Sequence, residues 1–285
     1  DKLTAMSQSK KKIPAIVEFY DIAGLVKGAS EGEGLGNQFL THIRETNAIV
    51  EVLRCFPSDE IIHVENSVDP IRDMDIINAE LMLKDLDTVE KNFKKVETEA
   101  RNNVKGARED LATLQKAKLA LEQGKMLFTK EFADVRENEK VRLLNLLTIK
   151  PQIYLLNGKP EDVPAALAEK IKNLGADYVV VDLAQNPDLS GLIKKAYEIL
   201  GLISFFTTGE DETRAWTIRN GAKAPEASGA IHSDFEKKFI RAEVINWEKL
   251  IEATSWSKAK QKGTLRLEGK EYVFQDGDVA EIRHG

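Results

Sequence analysis

The sequence has one cysteine, Cys55, and four histidines in 285 residues. A single cysteine excludes an internal disulfide, and the scattered histidines do not form a zinc-binding spacing. No run approaches the roughly 18 apolar residues that a membrane span requires, and the polar N-terminal stretch lacks the apolar core of a secretory signal. We therefore expect a cytoplasmic protein with neither a structural metal nor a membrane partner.

The sequence also lacks a large excess of charge of either sign. It has 41 lysines and arginines against 47 aspartates and glutamates, a net charge of −6. This balance disfavours non-specific coating of nucleic acid, so no DNA partner is expected and any RNA contact must be regional. With 42% hydrophobic and 31% charged residues, the chain is typical of globular proteins and long enough for two or three domains.

Short apolar segments alternate with helical patterns on both sides of a central region. Strands are predicted at residues 16–19, 48–53, 152–156 and 177–183, and helices at 165–174 and 189–200. This alternation predicts a parallel α/β sheet. Cys55 follows the second strand, and we expect it to be a buried thiol.

The central region has a different hydrophobic period. Apolar residues recur at steps of four and three in two runs separated by the polar stretch 101–106, namely Met82, Leu86, Val89, Phe93, Val96 and Ala100, then Ala107, Leu111, Leu114 and Leu121. This period predicts an antiparallel coiled-coil hairpin, residues 76–147, inserted into the α/β domain with its tip near Asn103, in preference to two ordinary surface helices. The basic residues towards the tip, namely Lys91, Lys94, Lys95, Arg101, Lys105 and Arg108, fit a solvated face and an RNA contact equally well.

Residues 202–285 change pattern again. Strand-like segments around 205–209 and 214–221, a helix around 231–239 and late strands at 264–269 and 272–278 predict a small β-grasp-like domain. The apolar stripe of the helix is first of all a core feature. A basic edge formed by Lys258, Lys260 and Lys262 is able to reach RNA phosphates.

The sharpest local signal is EFYDIAGLVKGASEGEGLGNQFL, residues 18–40. An acid at the end of a strand, followed by glycine three residues later, suits a nucleotide switch. Asp21 would then hold Mg²⁺, directly or through water, and the Gly24 N–H would reach a terminal phosphate. Taken alone the pair is weak evidence, because a helix N-cap aspartate and a turn glycine give the same pattern. The glycines that follow are typical of a loop that orders around a phosphate.

Three segments, DIAGLVKGASEGEGLGNQFL, RETNAIVEVLRCF and IHSDFEKKFIRAEVI, resemble the Obg-like ATPase (YchF) family, in the family's order and within a similarity that covers nearly the whole chain. The resemblance implies a P-loop NTPase-type domain (residues 1–75 and 148–201), the inserted hairpin and a C-terminal TGS-like domain (202–285). It also implies an ATPase of the translation-factor class, with ATP as substrate, Mg²⁺ as cofactor and ribosomes or rRNA as partners.

The same resemblance bears on the residue that orients water. The family has a hydrophobic residue where many GTPases have a glutamine, and Leu25 stands at that position. Leu25 cannot orient water. The resemblance implies that His63 takes this role, since an imidazole can polarise a water at neutral pH. In its apolar surroundings, residues 61–64, His63 is equally compatible with a structural residue, and His42 is expected to be structural.

The sequence departs from the family pattern at two places. It contains no G-x-x-x-x-G-K-[ST] phosphate loop, since Gly158-Lys159 is followed by Pro160. We therefore expect an N-terminally incomplete sheet in a fragment that is inactive alone and binds ATP poorly, rather than a protein that evolved without the loop. At the base-reading strand end, GTPases carry N-K-x-D and the family usually has N-x-x-E, whereas this chain has Asn157, Gly158, Lys159 and Pro160, with Glu161 one place late. The missing aspartate points away from guanine and towards adenine, held by Asn157 and by backbone groups near Gly158.

The sequence thus predicts an ATP-hydrolysing switch protein that acts on or near the ribosome. His63 is the predicted catalytic residue, Asp21 the predicted Mg²⁺ ligand, and the predicted nucleotide-binding residues are Asp21, Gly24, Asn157 and Gly158. Two alternatives stay open. One is a non-catalytic adaptor that binds ribosomes or RNA, if the P-loop is truly absent, and the other is a GTPase.

Overall fold

A computed structural model of the chain describes residues 1–22, 42–58, 60–61, 63, 67–184 and 187–285. These residues form two compact units, Asp1–Phe19 with Leu200–Gly285, and Tyr20–Ile199. We call the first the C-terminal unit and the second the α/β unit. The predicted site residue Gly24, the neighbouring Leu25 and the glycine-rich loop lie outside the described residues.

The helices are α1 (Lys2–Ser7), α2 (Pro70–Arg101), α3 (Ala107–Glu122), α4 (Ala133–Glu137), α5 (Glu139–Arg142), α6 (Ala165–Asn173), α7 (Ser190–Ile199), α8 (Ala224–Gly229), α9 (Ser233–Lys237), α10 (Trp247–Ala253) and α11 (Trp256–Gln261). Residues 42–45 form a further helical turn. The strands are β1 (Lys11–Ile13), β2 (Ile49–Arg54), β3 (Gln152–Asn157), β4 (Asp177–Val181), β5 (Leu202–Thr208), β6 (Glu212–Arg219), β7 (Phe239–Asn246), β8 (Arg266–Glu268) and β9 (Asp278–His284). None of the helices in the described part of the chain is long and apolar enough to cross a membrane.

The α/β unit contains a three-stranded parallel sheet in the order β2–β3–β4. The central strand β3 is buried over its first five residues, as expected for a parallel strand that is covered on both faces. On one face, α2 and α6 complete a core made of Leu53, Met74, Tyr154, Leu156, Leu167 and Ile171. The strands predicted at 48–53, 152–156 and 177–183 and the helices predicted at 165–174 and 189–200 are confirmed.

The long helix α2 has 32 residues and begins at a well-formed cap. The Asp69 carboxylate accepts hydrogen bonds from the N–H groups of Ile71 and Arg72, both at 3.1 Å. Pro70 follows at the first helical position, where a missing N–H leaves no hydrogen bond unmade. At about 1.5 Å per residue, α2 extends roughly 48 Å from the sheet into the region where it packs against α3.

The predicted apolar stripe of the hairpin is buried where α2 meets α3. The cluster contains Val89, Val96, Leu114, Ala117, Ala120 and Leu121, and it is joined by Phe132, Val135, Val141 and Leu146 from the segment that follows α3. The turn between the two helices includes Asn103 with a φ of 55° and Gly106 with a φ of 81°. Two helices joined near Asn103 are therefore confirmed, and a third segment covers part of their stripe.

The C-terminal unit contains a six-stranded mixed sheet in the order β1–β6–β5–β9–β7–β8. The pairs β1–β6 and β5–β9 are parallel, and the other neighbours are antiparallel. One core cluster includes Phe205, Phe239, Val244 and Phe274, and a second includes Leu3, Leu250, Ala259 and Val279. The strand-like segments predicted around 205–209 and 214–221 correspond to β5 and β6.

The strand predicted at residues 16–19 is wrong, because these residues have no regular secondary structure. The strand of this region is β1, which pairs with β6, and Pro14 directly after it has no N–H to continue the ladder. Ile16 is 71% exposed and Phe19 is 47% exposed. An apolar run becomes a strand only where a neighbouring strand accepts its hydrogen bonds, and no strand of the described residues does so here.

Two further boundaries in the C-terminal unit are wrong. The helix predicted at 231–239 is limited to α9, and Phe239 begins β7, where a bulge between Phe239 and Arg241 places both Phe239 and Ala242 in the core at a helix-like spacing. The strand predicted at 272–278 is a single bridge at Val273, and the strand itself begins at Asp278. Phe274 is nevertheless buried, so the apolar alternation in residues 272–278 reflects side-chain packing and not strand pairing.

Candidate functional site

Three parallel strands end at one edge of the α/β unit. Arg54 at the end of β2 is in register with Asn157 at the end of β3, and Asn157 is in register with Val181 at the end of β4. Ligands of open α/β sheets bind beyond such carboxyl ends, because the loops that follow the strands converge there. We call this edge, with the described residues 55–58, 60–61 and 63 and the loop 158–162, the strand-end site.

Asn157 and Gly158 hold the ends of the three strands together. The Asn157 side-chain oxygen accepts a hydrogen bond from Leu183 N at 3.1 Å. The Gly158 N–H donates to Val181 O at 3.1 Å, and the Cys55 N–H donates to Asn157 O at 2.9 Å. Two of the four predicted nucleotide-binding residues, Asn157 and Gly158, therefore lie at the carboxyl end of the central strand.

Position 158 favours glycine, because of its backbone conformation and its close neighbours. Its φ is 155°, and an added Cβ would lie 3.3 Å from Asp162 Oδ2 and 3.4 Å from Cys55 Cβ. The thiol of Cys55 is buried, as expected, and its burial together with the nearby Asp162 carboxylate raises its pKa to about 11. A thiol with this pKa is a packing group rather than a nucleophile at neutral pH.

The turn after Gly158 does not offer a guanine-reading carboxylate at the fourth position, which is Pro160. The carboxylate two residues later, Asp162, accepts a hydrogen bond from Lys159 N at 2.9 Å and so closes the 3₁₀ turn. The Oδ2 atom of Asp162 is thus hydrogen-bonded to the backbone of its own loop. The turn therefore differs from N-K-x-D in its structure as well as in its sequence, because its fourth position is Pro160 and Asp162 closes the turn.

Arg54 organises the loop after β2. Its guanidinium donates to three backbone carbonyls, those of Phe56 at 3.1 Å, Ser58 at 3.1 Å and Ile61 at 2.8 Å. It also lies 4.8 Å from the centre of the Phe56 ring, a cation–π contact. These contacts fix the path of the chain from the strand-end site towards His63.

His63 is paired with a carboxylate. Its Nε2 lies 2.9 Å from Asp73 Oδ2, and the two side chains are 18% and 16% exposed. Asp73 lies in the first turn of α2, where a negative charge is stabilised by the helix dipole. A histidine held by a carboxylate is the arrangement in which an imidazole serves as an oriented acid or base.

The remaining predicted residues differ in what surrounds them. Asp21 is an exposed carboxylate immediately before the residues that the structure leaves undescribed, and His42 is exposed on the helical turn 42–45. Ile22 and Ile43 pack into one cluster with Leu81 and Leu147, so these hydrophobic residues anchor the chain next to Asp21 and next to His42. No group of three or more His, Cys, Asp or Glu side chains within the described ranges is arranged to hold a metal ion.

A buried polar cluster lies between the sheet and α2. The Tyr154 hydroxyl donates to Gln152 Oε1 at 2.8 Å and accepts from Asn78 Nδ2 at 3.2 Å. Glu51, in register with Tyr154, is 3% exposed, and its carboxylate oxygens have no hydrogen-bond partner among the described residues. Burial, and to a lesser extent the charge of Asp75, raise the pKa of Glu51 well above its ordinary value.

A second buried carboxylate on α2 is fully satisfied. Asp85 accepts hydrogen bonds from Leu147 N at 2.8 Å and from the N–H and hydroxyl of Thr148, both at 2.7 Å. Burial raises the pKa of Asp85 to about 6, although these hydrogen bonds and the charge of Arg44 oppose the shift. Asp85 thus ties the middle of α2 to the chain that returns to the sheet.

Comparison with known proteins decides the family. The chain is 43% identical over 312 residues to the ribosome-binding ATPase YchF of Bacillus subtilis (strain 168), in a match that covers 99% of this chain and 85% of the relative. The chain belongs to the YchF family. The corresponding protein of Escherichia coli O157:H7 is 42% identical, with 98% of this chain and 84% of the relative covered.

Two further comparisons agree with the YchF family. The structure of the Schizosaccharomyces pombe YchF GTPase matches with a TM-score of 0.80 at 35% identity and covers 99% of this chain and 84% of that chain. A family model named YchF-GTPase_C, described as a protein of unknown function (DUF933), matches residues 202–285. The names of the YchF relatives thus include both an ATPase and a GTPase.

Sequence reasoning missed two residues, Arg54 at the strand-end site and Asp73 on α2, the partner of His63. A signal for Asp73 was present, because Asp69 followed by Pro70 is a typical helix start and places residue 73 in the first turn, ten residues after His63. Arg54 had no comparable signal, since its carbonyl partners are set by the path of the loop.

Proposed function

We propose that this YchF-family protein is an ATP hydrolase that works on the ribosome in the cytoplasm. The observation that carries the proposal is the 43% identity, over 99% of the chain, to a ribosome-binding ATPase. The strand-end site adds a local argument, since it combines a base-reading strand end with a carboxylate-paired histidine. A non-catalytic adaptor would not need the second feature.

Adenine is the base that the strand-end site fits better. Guanine is selected by a carboxylate that accepts from its N1 and N2 donors. In this turn the candidate position is Pro160, Glu161 stands one place late, and Asp162 is engaged with Lys159 N. Asn157 and backbone groups near Gly158, several of which also hold the strand ends together, are proposed to hold the base. We therefore propose ATP as the substrate, and GTP is the competing outcome of the test.

Asp21 is the residue that would hold Mg²⁺. Its carboxylate is a hard oxygen donor, and it is exposed near the start of the α/β unit, as the second residue of that unit. Mg²⁺ keeps several waters and takes phosphate oxygens, so one protein carboxylate is a sufficient donor set. When bound with ATP, the ion would neutralise phosphate charge, while Gly24 would contribute its N–H to the terminal phosphate.

His63 is proposed to position and polarise the attacking water. Leu25 has no polar atom for this purpose, and an imidazole can accept a hydrogen bond from water at neutral pH. Arg54 holds the carbonyls of Ser58 and Ile61 in the chain before His63, and the Asp73 carboxylate contacts the His63 ring. The role of His63 is in turnover, and nucleotide affinity is carried by other residues.

Ribosome contact is proposed for two basic surfaces, which we call the arm lysines and the C-terminal lysines. The arm lysines are Lys94, Lys95 and Lys105 near the turn between α2 and α3, and the C-terminal lysines are Lys258, Lys260 and Lys262 on and just after α11. All six are exposed. We propose that residues 76–147 are an inserted coiled-coil arm and that residues 202–285 are a TGS-like domain, each presenting one of these surfaces to rRNA phosphates.

The test of the catalytic role compares two histidines in the product of the full open reading frame. His63→Ala should lower ATP turnover on the order of 10²- to 10⁴-fold with little change in ATP affinity, because a positioned acid–base group is lost and no binding group is. His42→Ala, the matched control, should leave turnover within about twofold of the parent. Equal turnover of His63→Ala and the parent, measured by phosphate release, would make His63 a structural residue.

A further inference from the structure

The first residues of the chain are built into the C-terminal unit, about 200 residues away along the sequence. Leu3 of α1 is 6% exposed and lies in one core cluster with Ile245 and Leu250. β1 continues the six-stranded sheet and pairs in parallel with β6 over all three of its residues. Residues 1–13 therefore fold as part of the unit that also holds residues 202–285.

Hydrogen bonds fix the chain at the point where it enters β1. The N–H groups of Lys10 and Lys11 donate to the carbonyls of residues 210 and 211, at 2.9 and 3.2 Å. The Ser9 hydroxyl lies 2.7 Å from that of Thr213, a buried residue of β6. β1 has three residues, and β6 is its one neighbour in the described sheet, so these few contacts decide whether β1 stays docked.

The chain leaves the C-terminal unit shortly before the proposed Mg²⁺ ligand. The boundary between the two units falls between Phe19 and Tyr20, and Asp21 follows Ile13, the last residue of β1, by eight positions. A fully extended chain of this length reaches at most roughly 29 Å. Pro14 restricts the backbone at the start of the link. A displacement of β1 therefore reaches Asp21 through a short connection.

Asp21 is placed by the two ends of this link. Residues 14–20 have no regular secondary structure, and Ile16 and Phe19 are exposed, so neither a ladder nor the burial of these two side chains holds the link. Ile22, directly after Asp21, packs into the cluster of the α/β unit that contains Ile43. Asp21 thus lies between a hydrophobic anchor in one unit and a strand that belongs to the other.

From this connectivity we propose that β1 is a tether through which the C-terminal unit sets the position of Asp21, so that docking of β1 on β6 and binding of Mg²⁺–ATP strengthen each other. The inference rests on the proposed role of Asp21 as the Mg²⁺ ligand. A ligand that binds better when Asp21 is in place favours the docked state of β1. The C-terminal unit is then a regulator of nucleotide binding as well as a surface for rRNA.

The parent protein tests the tether without any substitution, because coupling between two binding events is reciprocal. Hydrogen exchange of the Lys10 and Lys11 amides is measured in the product of the full open reading frame. A non-hydrolysable ATP analogue with Mg²⁺ should slow this exchange on the order of tenfold, whereas the analogue with EDTA should leave it within about twofold of the nucleotide-free rate. The amides of β7, in the same unit, are the internal control and should not respond.

Two substitutions at one exposed position test the same coupling from the other side. Lys11→Pro removes the N–H that donates to the carbonyl of residue 211, whereas Lys11→Ala removes the same charge and keeps that N–H. Calorimetry should show that Lys11→Pro weakens Mg²⁺-dependent ATP affinity on the order of tenfold and that Lys11→Ala stays within about twofold of the parent. In EDTA the two variants should bind ATP equally.

Two results would overturn the inference. The first is unchanged exchange of the Lys10 and Lys11 amides in a parent protein that calorimetry shows to be saturated with Mg²⁺ and the analogue. The second is equal Mg²⁺-dependent ATP affinity of Lys11→Pro and Lys11→Ala. If Asp21→Asn keeps the full Mg²⁺ dependence while the β1 amides still respond to the nucleotide, the proposed role of Asp21 fails and the tether alone survives.

Discussion

The two halves of α2 bury different kinds of side chain. Before residue 86, the buried positions include Asn78, Glu80 and Asp85, whereas the buried positions after it are Val89, Val96 and Ala100. The first half lies on the sheet and reaches the strand-end site, and the second half packs against α3. Apolar burial stabilises a helix pair without specifying much else, whereas buried polar groups require particular partners and respond to pH.

The largest expected effect on stability lies where the apolar half of α2 packs against α3. Leu114→Ala removes a fully buried side chain from the cluster of α2, α3 and the following segment. We expect a loss of about 3 kcal/mol in the free energy of unfolding, because the transfer of the side chain and the resulting cavity both contribute. Urea denaturation measures it, and the loss should be the same at pH 5 and pH 8. Exposed Gln115→Ala is the control, and a pH-dependent loss in Leu114→Ala would break the comparison.

The outer surface of the same half gives the next prediction. Charge reversal of the three arm lysines should weaken ribosome cosedimentation on the order of tenfold and make its salt dependence shallower, because fewer phosphate contacts release fewer counterions. The control reverses Lys116, Lys125 and Lys223, exposed lysines that form ion pairs with Asp134, Glu131 and Glu271. The two triple variants have the same net charge. Equal binding of both would show that overall charge, and not the tip of the arm, governs the interaction.

The polar half gives the smallest effect, and it depends on pH. Carboxyl groups with raised pKa values stabilise the folded state below their ordinary pKa, and this stabilisation is lost as the pH rises through the folded-state value. For Asp85, the stabilisation is lost between about pH 4, near the ordinary pKa of aspartate, and about pH 6, its pKa in the folded state. Glu51, whose pKa is also raised, causes a further loss of stability as it ionises. Glu51→Gln should remove this loss and raise the free energy of unfolding by about 1–2 kcal/mol at pH 8.

Urea denaturation of Glu51→Gln and the parent across pH 4–9 measures this difference. Glu45→Gln, a substitution in the helical turn 42–45, is the control and should follow the parent curve. Parallel curves for Glu51→Gln and the parent would mean that Glu51 is satisfied in solution by a group such as a bound water.

The same contrast explains how much the sequence could predict. The apolar stripe from Val89 to Leu121 and the buried strand β3 follow from periodicity, which is a local property and was interpreted correctly. The segment 16–19 and Phe239 were misassigned because their state depends on a partner strand or on a bulge. The contact between His63 and Asp73 joins two segments through a loop, so composition and spacing could suggest the helix start at Asp69 but not the hydrogen bond.

The central claim is that the strand-end site serves ATP hydrolysis, and nucleotide selectivity tests it most directly. The measurement is phosphate release from ATP and from GTP by the product of the full open reading frame, with Mg²⁺, with and without ribosomes. The account predicts a kcat/KM for ATP that exceeds that for GTP by at least about tenfold, since the position of the guanine-reading carboxylate is Pro160 and Glu161 stands one place late. A preference for GTP, or no hydrolysis of either nucleotide with or without ribosomes, would contradict it.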